Sequence, residues 1–490
     1  MKKSLVYYPV IIGVFAFLIW FVIDKGKTLA PKSDRAVPAV AAPAATVVSP
    51  VAPPSPAPAA EKPIAPLLRN IKNPLPLLLF QIIVIFFVSK LFGRIITRIG
   101  QPSVVGETIA GLFLGPSLMG WISPDISNFI FPKGSLGSLQ FLSQIGLIFF
   151  MFLIGVDLDI EKLKNKAQSA VVISHASIIF PYFLGVSLAY VLYQEFAPAH
   201  ISFLSFALFM GIAMSITAFP VLARILKERG LTKTPLGALA LTCAAADDVT
   251  AWCILAVVIA IVKAGNIASA LVTILLSLVF VLLMIYGVRP WLKKAIDKMA
   301  GRNNSNETVV VVAFFVLLAC AYLAEIIGIH ALFGAFLAGT IMPKNERFKE
   351  LLAGKTEDIS VLVLLPLFFA FTGLRTQIGL LNDGHSWAVC GLIIFVAVIG
   401  KFGGSTVAAR ITGQSWKDSL SIGALMNTRG LMELIVLNIG YDLGILSPQI
   451  FAIMVLMALA TTLMTNPLLD LIEAAYGPYS QPGPARLKNP

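Results

Sequence analysis

The stretch Thr242-Cys243-Ala244-Ala245-Ala246-Asp247-Asp248-Val249-Thr250-Ala251-Trp252 sets two adjacent carboxylates near the middle of the apolar run 235–262. A run of that length exceeds the roughly 20 residues with which a helix crosses a bilayer. Each ionised side chain at the bilayer centre costs about 2.5 to 3.5 kcal/mol on insertion scales. A neutralised pair satisfied by interhelical hydrogen bonds is the bland alternative. Two ionisable groups side by side at that depth point instead to a site at Asp247 and Asp248 that binds a cation, a proton, or both by turns. Neighbours on a helix point about 100° apart, so one carboxylate can face a cavity while the other faces a fixed partner.

The surrounding sequence has the same apolar character. Of 490 residues 58% are hydrophobic and 13% charged, with mean hydropathy +0.88, against about 25% charged in soluble domains. The formal charge of +12, from 37 Lys and Arg against 25 Asp and Glu, would point to nucleic acid in a soluble protein. Here the basic residues lie mainly in short connections between apolar spans, which points to membrane topology instead and to no nucleic-acid partner. Cys243, Cys253, Cys320 and Cys390 all fall in apolar segments without a CxxC pair, against a disulfide framework or zinc site. His175, His200, His330 and His385 lack ligand spacing, and the reading assigns no cofactor.

Residues 1–24 carry an apolar span at 5–23 behind Lys2 and Lys3, a signal peptide or a signal anchor. No A-x-A-like site follows directly, which favours the anchor. Residues 25–74 are rich in Ala, Pro and Val, and Ala36 to Ala60 read as a semi-extended extracytoplasmic linker. The transmembrane domain is placed at 75–472, with spans at about 75–95, 102–119, 139–157, 167–194, 201–228, 235–262, 268–290, 308–327, 329–343, 359–381, 386–411, 418–443 and 447–472. Solid apolar runs favour helices over a barrel of alternating segments. Residues 473–490 form a short tail ending Arg486-Leu487-Lys488-Asn489-Pro490, leaving no room for a nucleotide-binding regulatory domain.

Charge alternates between the connections. One set carries Lys90/Arg94/Arg98, Lys162/Lys164/Lys166, Arg224/Lys227/Arg229/Lys233, Arg289/Lys293/Lys294/Lys298/Arg302, Lys344/Arg347/Lys349/Lys355 and Arg410/Lys417; the other has Asp125, Glu195, Asp383 and Asp442. The positive-inside rule puts the first set and the C-terminus in the cytoplasm of a multi-pass cell (inner) membrane protein. The sequon matches at Asn303 and Asn306 then fall inside and read as chance.

A repeat is visible. Ser205-Phe206-Ala207-Leu208, Thr217-Ala218-Phe219-Pro220, Gly230, Pro235 and Asp247-Asp248 run parallel to Ser421-Ile422-Gly423-Ala424, Asn427-Thr428-Arg429-Gly430, Gly444, Pro448 and Thr461-Thr462. Likewise the segment Leu147 to Asp157, ending Gly155-Val156-Asp157, resembles Leu367 to Arg375, ending Gly373-Leu374-Arg375. Seven spans separate the copies, and an odd number inverts the second half. Repeat 1 covers about 75–262 and repeat 2 about 308–472, joined by a linker helix at 268–290. Inverted repeats mark secondary transporters, whose sites lie where Gly/Pro-interrupted helices break.

Two such breaks are expected. Thr217 to Pro220 joins a hydroxyl to a missing backbone donor and a restricted preceding residue. Asn427-Thr428-Arg429-Gly430-Leu431-Met432-Glu433 combines a glycine with two opposite charges. Unwound backbone persists in a membrane only when buried in protein or lining a cavity, and half-helix ends offer partial charges and carbonyl oxygens to a cation. Lys401, midway along 386–411, is the candidate partner for the Asp pair, with a snorkelling lysine as its bland reading. Arg429 and Glu433, four residues apart, share a helix face and read as an ion pair bracing the break. Glu107 and Glu325 are further intramembrane carboxylates, in helix packing or at a cavity mouth. Burial favours the neutral acid and a nearby cation favours the anion, so a balanced site could trade a proton for an alkali ion.

Four stretches carry a resemblance over about 75–472: Pro102-Ser103-Val104-Val105-Gly106-Glu107-Thr108-Ile109-Ala110-Gly111-Leu112-Phe113-Leu114-Gly115-Pro116-Ser117, Thr217 to Arg224, Ala-Ala-Ala-Asp247-Asp248, and Asn427 to Asn438. The chain resembles the monovalent cation:proton antiporter superfamily, in the branch of Kef-type bacterial potassium/proton systems and plant CHX exchangers. The resemblance implies an all-α polytopic fold of 13 transmembrane helices, two inverted six-helix repeats with crossed broken helices, and here an extra N-terminal hydrophobic helix. It also implies a homodimer with a scaffold domain and a mobile core domain, exchanging H+ for Na+ or K+ by alternating access. Asp248 takes the role of the essential ion-binding carboxylate, with Asp247 and Thr217 beside it. Many CHX-like relatives have Asn at the preceding position and tend to be electroneutral. This chain has Asp, like the electrogenic group, in which a lysine matching Lys401 pairs with it, so the stoichiometry stays open between the two. A cation channel, a different ion-coupled or organic-anion transporter, and an intramembrane aspartyl protease are the alternatives. The protease pattern, one Asp on each of two helices with a GxGD element, is absent.

Overall fold

The computed structural model describes residues 2–31, 70, 73–157, 167–232, 234–264, 267–300, 306–343, 352 and 359–479. The linker over 32–69, the Lys162/Lys164/Lys166 and Lys344 to Lys355 groups, Lys233, the sequence 301–305 with its sequon, and the tail from 480 lie outside the described residues. Among the described residues there is no strand, and twelve helices are long and apolar enough to cross a membrane. The expected span 329–343 is a helix of ten residues, Ala331–Thr340, and at 1.5 Å per residue it is too short to cross a core of about 30 Å.

In chain order the helices that matter are α1 (Lys2–Gly26), α2 (Pro74–Arg98), α3 (Ser103–Leu114), α4 (Leu136–Asp157), α5 (Ala167–Phe196), α6 (Phe203–Ser215), α7 (Phe219–Glu228), α8 (Pro235–Ala264), α9 (Ile267–Leu282), α10 (Asn306–Ile327), α11 (Ala331–Thr340), α12 (Leu365–Arg375), α13 (Gly384–Val398), α14 (Gly404–Ile411), α15 (Trp416–Met426), α16 (Leu431–Asp442) and α17 (Pro448–Tyr476). They sort into two bundles by packing. In a core bundle, α5 lies against α6, α8 and α14, while α15 lies against α14 and α17. In a scaffold bundle, α3 lies against α2 and α12, and α11 lies between α4 and α10. Helix α9 touches both α8 and α10 and so bridges the two. Helix α1 packs on α5 and α6, with the Phe15 ring edge-on to Phe180 and Phe183.

Close approach in each bundle depends on glycine, because without a hydrophobic drive between helices in lipid, backbone proximity supplies the packing energy. In the scaffold, a Cβ at Gly111 would run into the backbone of Ala370, and one at Gly373 into the backbone of Gly111. In the core, a Cβ at Gly400 would stand 2.9 Å from Cβ of Pro181 on α5.

The two interrupted segments occupy the protein interior. Buried residues make up 94% of the apolar window in Trp416–Asp442 and 78% of that in Phe203–Glu228, against 17% for Pro74–Arg98. Unwound backbone there is shielded from lipid, the condition under which it persists at membrane depth. Hydrogen bonds also define two faces. Arg229 with Asp470, Asn466 with the Gly100 carbonyl, and Lys417 with the Pro478 carbonyl gather basic helix ends on one. His385 with Glu195, Gln449 with Ser386, and Gln140 with Asp442 gather the other.

Candidate ion site at the crossing of two broken helices

The first break spans Ile216–Ala218, extended between α6 and α7, with Pro220 in the first turn of α7 where its missing donor costs nothing. The second runs from Asn427 to Gly430 between α15 and α16. They meet directly: the Ala218 amide donates to the Thr428 carbonyl at 3.0 Å, and Thr217 Oγ1 donates to the Met426 carbonyl at 3.2 Å. Gly430 lets them close up, since a Cβ there would come within 3.0 Å of Val221 Cγ2.

The open C-terminal end of α6 leaves carbonyls without intrahelical partners, and cations favour such an end. Two buried cations take them. Arg429 Nη1 donates to the Ala213 carbonyl at 2.9 Å and Nη2 to the Met214 carbonyl at 2.5 Å. Lys401 Nζ donates to the Ser215 carbonyl. Arg429 also binds Glu433 at 3.0 Å, so the i, i+4 pair of the sequence closes on α16 and reaches across to α6.

Lys401 arrives through a π-turn at Ile399–Gly403, a feature common at functional sites. Its ammonium lies 2.9 Å from Asp247 Oδ2, 2.9 Å from the Ser177 carbonyl and 3.1 Å from Ser177 Oγ. Asp247 Oδ2 also accepts the Thr217 amide at 3.0 Å, and Oδ1 accepts Ser177 Oγ at 3.2 Å. Both Lys401 and Asp247 are fully buried. Removing one partner of such a pair typically costs about 3 to 5 kcal/mol.

Asp248 is different. It is buried, 3% exposed, and neither carboxylate oxygen makes a hydrogen bond, although the Phe219 backbone N–H at the start of α7 acts on it. A bare buried carboxylate is costly, so this group fits a proton or a bound cation. Asn427, 0% exposed, likewise leaves both amide atoms unpartnered beside the break. Thr428 is tied to Thr465 Oγ1 at 3.1 Å, and the Arg429 carbonyl accepts Thr462 Oγ1 at 2.5 Å.

The other two carboxylates lie elsewhere. Glu107, buried on α3, has Lys90 and Arg224 as the charges acting on it, at the basic face. The Glu325 side chain is 52% exposed, pairs with Lys263 at 3.7 Å, and accepts the Ala331 amide at 2.8 Å, so it caps α11. Ser177 and Ser215 escaped the sequence reading. Serines in apolar helices commonly bond their own backbone, and nothing short of the α5 to α13 packing distinguishes them. Thr462 did have a signal: the repeat aligns Thr461-Thr462 with Asp247-Asp248.

The sequence pattern of a family described as "Sodium/hydrogen exchanger, transmembrane" matches residues 83–471. A relative named Na(+)/H(+) antiporter NhaS4, from Synechocystis, is 46% identical over 404 residues, covering 82% of this chain and 98% of that one. Cation/H(+) antiporter 17 of Arabidopsis thaliana is 41% identical over 420 residues, covering 86% of this chain and 51% of the plant protein. This chain thus spans about half the length of the plant relative. In fold it is similar to the sodium proton antiporter MjNhaP1 of Methanocaldococcus jannaschii at pH 8, with TM-score 0.58, 16% identity, and coverage of 83% of this chain and 98% of that one.

Proposed function

This chain belongs to the sodium/hydrogen exchanger transmembrane family, and on that footing we propose that it exchanges protons for a monovalent cation, Na+ or K+, with Asp248 carrying either ion by turns. The observation that carries this reading is the division of labour between adjacent carboxylates. Asp247 is occupied by Lys401, Thr217 and Ser177, whereas Asp248 is buried with no hydrogen bond on either oxygen. A proton and a cation compete for the same anionic oxygens, so binding of one excludes the other, and a gradient of either can drive the other. The Synechocystis relative, named as a Na(+)/H(+) antiporter, and the Arabidopsis relative, named as a cation/H(+) antiporter, support the same chemistry.

Alternating access follows if the core bundle moves against the scaffold, opening Asp248 to one face at a time. The basic face is the cytoplasmic one by the positive-inside rule, which puts the end of α17 on the cytoplasmic side of a cell membrane, and a homodimer would hold the scaffolds still. If Lys401 also releases a proton during the cycle, two protons exchange per cation. Each turnover then moves one net charge, worth about 2.3 kcal/mol per 100 mV.

The test is proton-coupled flux in proteoliposomes with each alkali ion in turn. Asp248→Asn is expected to abolish cation-driven proton movement, and Asp247→Asn to weaken it. Robust ion-dependent proton movement by Asp248→Asn overturns the assignment.

A further inference from the structure

Away from the ion site, on the face opposite the basic one, a cleft admits water-sized solutes over about 30 Å³ between α4, α12 and α16. It runs along the boundary between scaffold and core. Arg375, the last residue of α12, crosses that boundary. Its guanidinium donates to Asn438 Oδ1 at 3.1 Å and to Asp442 Oδ1, and its carbon lies 4.6 Å from the centre of the Tyr441 ring. One scaffold side chain thereby holds three residues of the last turn and a half of core helix α16. Asn438 Nδ2 returns a bond to Thr372 Oγ1 on α12 at 2.8 Å, and Gln140 of α4 donates to Asp442 Oδ2 at 3.2 Å.

Exposure distinguishes this ion pair from the two at the crossing. Lys401 with Asp247 and Arg429 with Glu433 are wholly buried and lie inside the core, whereas the Arg375 and Asp442 side chains are 13% and 31% exposed. A partly wet pair opens at much lower cost than a dry one, because water takes over the released charges. The ends of the helices add an asymmetry. A cation suits the C-terminus of α12 and a carboxylate does not suit that of α16, so Asp442 depends on Arg375 more than Arg375 depends on Asp442. Among the described residues, a further pair crossing between the bundles on this face, Lys263 with Glu325, is longer at 3.7 Å and more exposed.

We propose that Arg375 is the positioning residue that latches the core to the scaffold on this face, and that its release opens the cleft between α4 and α16 as the outer path to the ion site. This rests on the exchange reading above for its role in transport, but the latch itself is a structural claim.

The test labels a cysteine placed at Ser143, 1% exposed at the cleft, with a membrane-impermeant maleimide in the solubilised full chain. The chain without Ser143→Cys supplies the background from its native cysteines. Arg375→Ala is expected to raise the labelling rate about tenfold, and Asp442→Asn to raise it less because the bond to Asn438 remains. Unchanged labelling in both variants overturns the latch. If Arg375→Ala does not fold, a Thr372→Cys/Asn438→Cys pair in the Arg375 chain decides. Oxidation is expected to lower cation-driven proton flux at least about tenfold, reversibly on reduction, and undiminished flux in the cross-linked protein overturns the proposal. The labelling involves no flux, so its failure counts against the latch alone. Absence of cation-driven proton flux in the unmodified chain counts against the exchange reading alone.

Discussion

Ala218 and Thr428 join the two breaks by one backbone hydrogen bond, yet the long helices behind them treat the two sides differently. Helix α8 meets the first break with Asp247 and Asp248, and α17 meets the second with Thr462 and Thr465. On the first side an amide is taken by a carboxylate that is itself held by a lysine. On the second side, a carbonyl is taken by a hydroxyl. Both arrangements answer the same requirement, that unwound backbone buried in a bilayer find polar partners. Of the two long helices behind the breaks, only α8 brings carboxylates to the crossing, while α17 brings hydroxyls.

The largest way to break this comparison is Asp248→Asn. Flux is expected to fall to background while thermal stability stays within about 0.5 kcal/mol of the intact protein, because no side-chain partner of Asp248 is lost. A fall in both would make Asp248 a structural residue like its neighbour. Next comes Lys401→Ala, which strands Asp247 and the Ser215 carbonyl and should cost about 3 to 5 kcal/mol of stability in a thermal melt. Adding Asp247→Asn should return part of that loss, and strict additivity of the two would mean that the pair is not coupled. Arg429→Gln, which frees two carbonyls of α6 and leaves Glu433 alone, is placed slightly lower, at about 2 to 4 kcal/mol. The smallest effect belongs to the uncharged side. Thr462→Val removes one hydroxyl-to-carbonyl bond and should cost about 1 kcal/mol with exchange retained. A loss of exchange there, with stability kept, would give the second break a chemical role and end the asymmetry.

The features that the sequence made legible are those in which residue type conflicts with surroundings. Two carboxylates in an alanine-rich run, a lysine in mid-span, and Pro220 and Gly430 in apolar segments stand out because lipid penalises each of them, and the structure gathers them at one crossing. Lys401 does meet Asp247, and Arg429 does meet Glu433. Where type and surroundings agree, the sequence is silent. Ser177 is one of several serines on α5, and only the glycine-mediated approach of the helix carrying Lys401 makes it a shared ligand of both charges. Glu325, read as a packing or cavity-mouth carboxylate, lies at the end of α10, where it accepts the Ala331 amide and caps the short helix α11. That cap also explains how the expected span 329–343 begins: with His330 at φ 79° as the N-cap residue, the chain restarts as a new, short helix.

The glycine contact between α3 and α12 reaches beyond packing. Because Gly111 and Gly373 press backbone on backbone, with no side chain between them to change rotamer, that seam has no soft degree of freedom. A methyl group added at either glycine would have to drive α3 and α12 apart, so these two positions set the spacing of the scaffold helices.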